Sequence, residues 1–237
     1  MSIGHKLTPQ EIKFYNNNGY LLAYNVFQPQ ECQRILAYYT ERSVEFIGKE
    51  TMNLDRSLLE VKEFITDPRI ADIAEGLHGF AKMDYLMVHA IWKRPGTPYA
   101  KHAWNTHQDV HYNRHPRDMG ALITIAMEDS DPDNGGMYIY PGSHKLPLLP
   151  HERNESYDPN KNPGSKCEVP KKFKDKKLDL YMKQGDVYVQ NGHLIHGSYS
   201  NESNRSRMQL GIVVIVRGQP YNTGGKNANR LPQPLRD

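Results

Sequence analysis

Apolar residues are spaced differently in the first third of the chain and in the rest. In "LTPQEIKFYNNNGY" Ile12 and Tyr15 fall three apart, on one face of a helix. Thr8 stands where an N-cap is needed, Pro9 at the first helical position and Glu11 at the capping-box position, and the asparagine run before Gly19 ends the pattern. "GYLLAYNVF" reads as a short strand. "PQECQRILAYYT" (Pro29 to Thr40) predicts a second helix, and "DPRIADIAEGLHG" a third that ends at Gly79. From residue 80 onward, short β segments alternate with Gly and Pro: "DYLMVHAIWKR", "ALITIAMED", "GMYIYPG", "GDVYVQNG", "IHGSYSN" and "RMQLGIVVIVRG". The pattern is that of an α+β chain, with a helical part over 1–80 and a barrel or jelly-roll core over 81–217, in one domain of 237 residues. Residues 150–183 lack periodicity and are too long for an ordinary connection, so a lid is expected there. The tail over 218–237 is expected to lie extended on the surface or to be partly disordered.

Composition narrows the classes. With 38% apolar residues the chain can bury one good core. The net charge of +3 comes from basic residues scattered among acids, which argues against nucleic acid as a partner. Cys32 and Cys167 are far apart and form no disulfide framework, so a reducing compartment is expected. "MSIGHKLTPQ" has no apolar leader core, and no run reaches the ~18 apolar residues of a membrane span. A cytoplasmic protein acting away from membranes is the expectation.

Candidate chemistry centres on "NTHQDVHYNRH". In an extended segment residues two apart point to one side, so His107 and Asp109 can converge on an ion. In "GDVYVQNGHLIHGSYSN", His193 and His196 both offer a third ligand. Two imidazoles and one carboxylate form the facial triad of non-haem Fe(II) oxygenases, which leaves three positions open. Alone, an HxD pair in a chain with eleven histidines is weak. The segment after His196 strengthens it: Gly197, Ser198 and Asn201 follow, then Arg205 and Arg207. An oxygenase using 2-oxoglutarate needs a cation for the distal carboxylate, and an arginine presents a planar fork for it. Arg207 opens "RMQLGIVVIV", which is expected to put ligand and anchor on neighbouring strands.

At these motifs the sequence resembles the phytanoyl-CoA dioxygenase family over most of its length. "LTPQEIKFYNNNGYLLAYNVFQPQEC" is similar to the family's N-terminal helix, strand and helix. "HQDVHY" resembles its first iron motif, "NGGMYIYPGSHK" its strand–turn segment, and "HGSYSNESNRSR" its HGS…N…R ending. The resemblance implies a double-stranded β-helix (jelly roll) with the N-terminal helices packed on one sheet, and Fe(II), 2-oxoglutarate and O2 as cofactor and co-substrates. It makes His107, Asp109 and His196 the iron ligands. Arg207 becomes the partner of the 2-oxoglutarate distal carboxylate, in preference to Arg205, and Ser198 its hydroxyl neighbour. Thr124 and His89 fall at further co-substrate positions. Tyr112 and Trp104 either line the substrate pocket or pack the barrel mouth.

The activity implied is hydroxylation of an unactivated C–H bond of a small molecule, with 2-oxoglutarate decarboxylated to succinate. The same chemistry can instead desaturate, epoxidise or cyclise, and a cupin-like metalloprotein that does not use 2-oxoglutarate is the alternative. Related halogenases carry a small residue where this chain keeps Asp109, so hydroxylation is favoured over halogenation. Lys171, Lys172, Lys174, Lys176 and Lys177 in the expected lid raise an anionic substrate as one option.

Overall fold

Alternation within "RMQLGIVVIV" sets the layering of the molecule. In the computed structural model, which describes residues 4–41, 51–53, 59–152, 164–221 and 231–236, this segment is a ten-residue strand at the centre of the larger sheet. The first half of the chain runs α1 (Pro9–Asn18), β1 (Tyr20–Ala23), α2 (Pro29–Glu41), β2 (Thr51–Asn53), α3 (Leu59–Ile65), α4 (Pro68–Leu77), β3 (Met83–Lys93), β4 (Trp104–His107), α5 (Val110–Asn113) and β5 (Gly120–Ala126). After these come β6 (Met137–Ile139), β7 (His151–Glu152), β8 (Lys166–Cys167), β9 (Leu178–Asp179), β10 (Val187–Asn191), β11 (His196–Ser198), β12 (Arg207–Val216) and β13 (Gln233–Pro234).

The larger sheet is antiparallel, in the order β1-β10-β5-β12-β3-β13, with β2 also paired to β3. A smaller sheet runs β4-β11-β6-β9, and β7 pairs with β8. Together they make the expected jelly roll, with the helices on the outer face of the larger sheet. Strand parity explains why. Met208, Leu210, Ile212 and Val214 of β12 join Ile123 and Ile125 of β5 and Val187 and Val189 of β10 in one apolar core with α1 to α4. Each such side chain, once buried, contributes about 1.5–3 kcal/mol. The alternate positions, Arg207, Gln209, Gly211 and Val213, line a cavity on the other face. Gly211 pairs with both His89 and Thr124. A Cβ there would stand 2.4 Å from His89 Nε2, so no other residue leaves that ring its place.

The helix signals act as anticipated in α1: Thr8 Oγ1 accepts from Glu11 N at 3.2 Å, Glu11 Oε2 accepts from Thr8 N at 2.7 Å, and Gly19 closes the end at φ 82°. In α4, Asp67 caps the start and the helix stops at Leu77, two residues short of the expected end at Gly79. Arg69 ties α4 to α2 through Asp67 and Glu31 (2.8 and 2.6 Å) and lies over the Phe27 ring. β2 and α3 carry no strong signal and were not expected from the sequence.

Two segments differ from expectation. Within 150–183, residues 153–163 lie outside the described residues. The rest is built into the fold rather than free: β7 pairs with β8, β9 pairs with β6, and Phe173, Leu180 and Met182 are buried. Alternation is too short in these pieces to read as strand, and Pro and Lys dominate between them. In the tail, residues 222–230 are likewise outside the described residues, but β13 pairs with β3 and Leu235 is fully buried. Arg236 reaches Asp72 at 2.6 Å, and also Glu75, so this stretch is held against α4 and not loosely laid on the surface.

Candidate active site

His107 closes β4, and its Nδ1 lies 2.7 Å from the Asn105 carbonyl. A carbonyl only accepts, so Nδ1 carries the proton and Nε2 presents its lone pair. In β11, His196 Nδ1 is placed likewise, 3.0 Å from the Leu194 carbonyl. Both Nε2 atoms face Asp109 Oδ1, at 3.5 and 3.6 Å. Among the described residues these three form the only His/Cys/Asp/Glu group whose ligand atoms fall within reach of one ion.

Asp109 arrives by a different route from the one its spacing suggested. The strand ends at His107, and Asp109 has φ −62° and ψ −29°, at the entry to α5. A turn, pinned by Val110 N donating to the Gly192 carbonyl at 2.8 Å, brings its carboxylate back beside His107. Gln108 points away, donating to the His193 carbonyl and accepting from Leu149 N, both at 2.8 Å. Burial raises the Asp109 carboxyl, but His196, His107 and the Gln190 amide outweigh it and hold it below the usual carboxylate range. Burial, then the neighbouring His107, push His196 down to about 4, against the pull of Asp109.

These donors fit a divalent ion. Both imidazoles are fixed as Nε2 ligands by the backbone carbonyls that accept from their Nδ1–H, as is common for histidines that bind metals, and the carboxylate is held ionised. Two nitrogens and one oxygen leave positions for other ligands.

A cavity of about 320 Å3 opens over the triad. His107, His196, Ser198, Trp104 and Met137 line it from the smaller sheet, and Met87, His89, Leu122, Thr124, Arg207 and Gln209 from the larger one. All the residues expected from sequence therefore border one space. His196 and Arg207 were expected on neighbouring strands; β11 and β12 are consecutive in the chain but belong to different sheets, so the two residues meet across the cavity. Trp104 Nε1 donates to Tyr99 Oη at 3.2 Å and Tyr112 Oη accepts from Ser165 N at 2.8 Å, so both rings border the space with their polar atoms engaged.

Arg207 is 1% exposed. It donates to Gln209 Oε1 at 2.6 Å and to the Gly135 carbonyl, while its Nε has no partner. No carboxylate lies within ion-pair distance of it among the described residues, and burial pushes it down to about 10, against the pull of Tyr99 and Glu128. The rivals lie elsewhere: Arg205 is a surface residue paired with Asp131 at 2.9 Å, and His193 stands beside His115, 6.3 Å between ring centroids. The sequence reading missed Gln190, whose Nε2 lies 2.6 Å from Asp109 Oδ2 and 3.0 Å from His196 Nε2, and Lys93, buried behind Ser198. Both sit on inward-facing positions of their strands; parity with Tyr188 and His89 gives the face, but not the partners they meet.

A profile of the family described as phytanoyl-CoA dioxygenase (PhyH) matches residues 15–209. The peroxisomal phytanoyl-CoA dioxygenase of Mus musculus is 25% identical over 240 residues, covering 86% of this chain and 67% of its own. Among solved structures, the epimerase SnoN, in complex with Fe3+, alpha ketoglutarate and nogalamycin RO, shares the fold. Its TM-score is 0.75 at 18% identity, with 96% of this chain and 93% of that chain covered. The carbocyclase SnoK from nogalamycin biosynthesis has a TM-score of 0.72 at 20% identity, covering 98% and 94%. The chain belongs to the phytanoyl-CoA dioxygenase family of Fe(II)/2-oxoglutarate-dependent oxygenases.

Proposed function

We propose that the chain oxidises a small molecule at an unactivated C–H bond, with His107, Asp109 and His196 holding Fe(II) and Arg207 holding the distal carboxylate of 2-oxoglutarate. The observation that carries this reading is a buried arginine without an acid partner in the same cavity as a two-histidine, one-carboxylate cluster. An unpaired buried cation is costly, and an incoming carboxylate removes that cost. When bound, iron with 2-oxoglutarate and O2 supplies the oxidising power that breaks the C–H bond and yields succinate. The protein's own residues bind, orient and exclude water. Gln190 orients Asp109, the two carbonyl-bound histidines keep their tautomers, and Arg207 with Ser198, beside Thr124 and His89, sets the direction of the keto acid.

The substrate itself rests on Met87, Leu122, Val213 and the rings of Trp104 and Tyr112, which favours an apolar body. Lys172 and Lys176 lie over Phe173, and Lys177 over Tyr138 and Tyr199, away from this lining. An anionic group on the substrate is the finer option. If one is present and these lysines reach it, replacing Lys171, Lys172 and Lys174 together raises KM with a clear salt dependence, and an unchanged KM leaves them as solvated surface. Hydroxylation is the leading outcome. Ring closure or epimerisation is the second reading, favoured by the likeness in fold to SnoK and SnoN. No helix among the described residues is long and apolar enough to cross a membrane. Two unpaired, buried cysteines support a reducing compartment such as the cytoplasm.

Two variants test the assignment together. Asp109→Ala is expected to lose iron. Arg207→Ala is expected to keep it but to weaken 2-oxoglutarate by roughly 30-fold to several thousand-fold, from the ~2–5 kcal/mol of a broken desolvated charge pair. Metal analysis and anaerobic titration measure both; unchanged 2-oxoglutarate affinity in Arg207→Ala, with a large loss in Arg205→Ala, rejects the anchor.

A further inference from the structure

Lys93 ends β3 and is wholly buried. Its Nζ donates to Ser198 Oγ at 3.0 Å and to the Tyr199 carbonyl, and no carboxylate pairs with it among the described residues. Arg207 is its partner in the β3–β12 ladder, so two buried basic side chains lie together, and burial, then Arg207, lower the Lys93 amine well below its ordinary value. The surroundings are shaped to keep the lysine there. Gly135, at φ +88°, leaves room that a Cβ would take from Lys93 Cδ, at 2.7 Å, and Asn201 Nδ2 donates to the Lys93 carbonyl at 2.9 Å.

Ser198 Oγ also lies 3.4 Å from Trp104 N. An amine and a backbone N–H approach a hydroxyl oxygen as donors, so Ser198 Oγ accepts from both and its own hydrogen is left to donate elsewhere. Ser198 borders the cavity beside Arg207, whereas Lys93 stands behind it. We infer that Lys93 is a positioning residue of the co-substrate pocket, acting by fixing the Ser198 hydroxyl as a donor toward the distal carboxylate. The inference rests on the reading of Arg207 and Ser198 proposed above and adds a residue that touches neither metal nor keto acid.

Isothermal titration calorimetry of the Fe(II)-loaded protein under argon tests it. The two probes are 2-oxoglutarate and 2-oxopentanoate, which carries a methyl group in place of the distal carboxylate. A wild-type protein that does not bind 2-oxoglutarate overturns the proposed function itself, before any variant is made. Given that binding, Lys93→Met is expected to weaken 2-oxoglutarate by roughly tenfold or more, the size of one lost hydrogen bond to a charged group. Binding of 2-oxopentanoate stays unchanged. In a Ser198→Ala background the same substitution loses most of its effect, since both changes act on one hydroxyl. A lysine that only holds the fold together would weaken both keto acids alike or keep its full effect without Ser198, and either result overturns the inference. Should Lys93→Met fail to fold, equal treatment of the two keto acids by Ser198→Ala overturns it independently.

Discussion

Gln190 faces inward from β10 on the same side as Tyr188, and its neighbours fix which way its amide points. The Asp109 carboxylate only accepts, so the amide nitrogen faces it, and Gln190 Oε1 is left to accept from Tyr188 Oη at 2.9 Å. Gln190→Leu deprives the carboxylate of its donor and leaves the Tyr188 hydroxyl unmatched. Iron affinity is expected to fall by about 10- to 100-fold, as for other residues that orient metal ligands. Competition with a calibrated chelator measures this, and an affinity equal to wild type removes Gln190 from the metal centre. At this scale the candidate ligands were legible because their pattern is local, an HxD pair and an HGS run, while the choice of Arg207 over Arg205 came from the family resemblance. The groups behind them were not. Gln190 and Lys93 owe their roles to partners 81 and 105 residues away, a distance no local pattern encodes.

At the scale of elements, short-range rules carried the reading where they apply. Thr8, Pro9, Glu11 and Gly19 start and stop α1 where the cap chemistry demands. Thr8→Ala is expected to cost about 1 kcal/mol, the usual loss for an N-cap hydroxyl, and chemical denaturation at neutral pH measures it. The box also predicts a pH dependence. Its hydrogen bonds to Thr8 hold the Glu11 carboxyl below its ordinary value. A depressed carboxyl contributes stability that is fully present above its unfolded pKa and is lost as pH falls through the folded one. The cost of Thr8→Ala should therefore shrink in acid; an equal cost at pH 7 and pH 3 separates the hydroxyl from the carboxylate. Strand signals were equally readable in β3, β5, β10 and β12, which are long enough to alternate. Two-residue strands such as β7, β8 and β9 have no alternation to detect, and the turn at Asp109 follows from a contact with Gly192, far along the chain.

For the whole molecule, the arrangement of sheets ties stability to ligand. The histidines belong to β4 and β11 of the smaller sheet, and Arg207 to β12 of the larger one. A keto acid held at both ends spans the two layers, and it binds only where both are folded. At a hundredfold excess over its Kd it is expected to add about 2.7 kcal/mol to the unfolding free energy of the Fe(II)-loaded protein. Denaturant titration with and without 2-oxoglutarate checks this. An unchanged midpoint would mean that no ligand bridges the layers. The jelly roll itself was foreseeable from the succession of short strands after a helical start. That β11 and β12 part into separate sheets was not, because chain order does not state which strands pair.

Strand β12 presents its core residues and its cavity residues on opposite faces, one position out of step. Changes at Gln209 or Val213 can thus accumulate without opening a hole beneath the helices, whereas changes at Leu210 or Ile212 are selected against whatever the cavity holds. Descendants of this chain can drift toward new substrates at cavity positions such as Val213, with Arg207 and Gly211 held by the roles described above, while the even-numbered residues keep the protein folded.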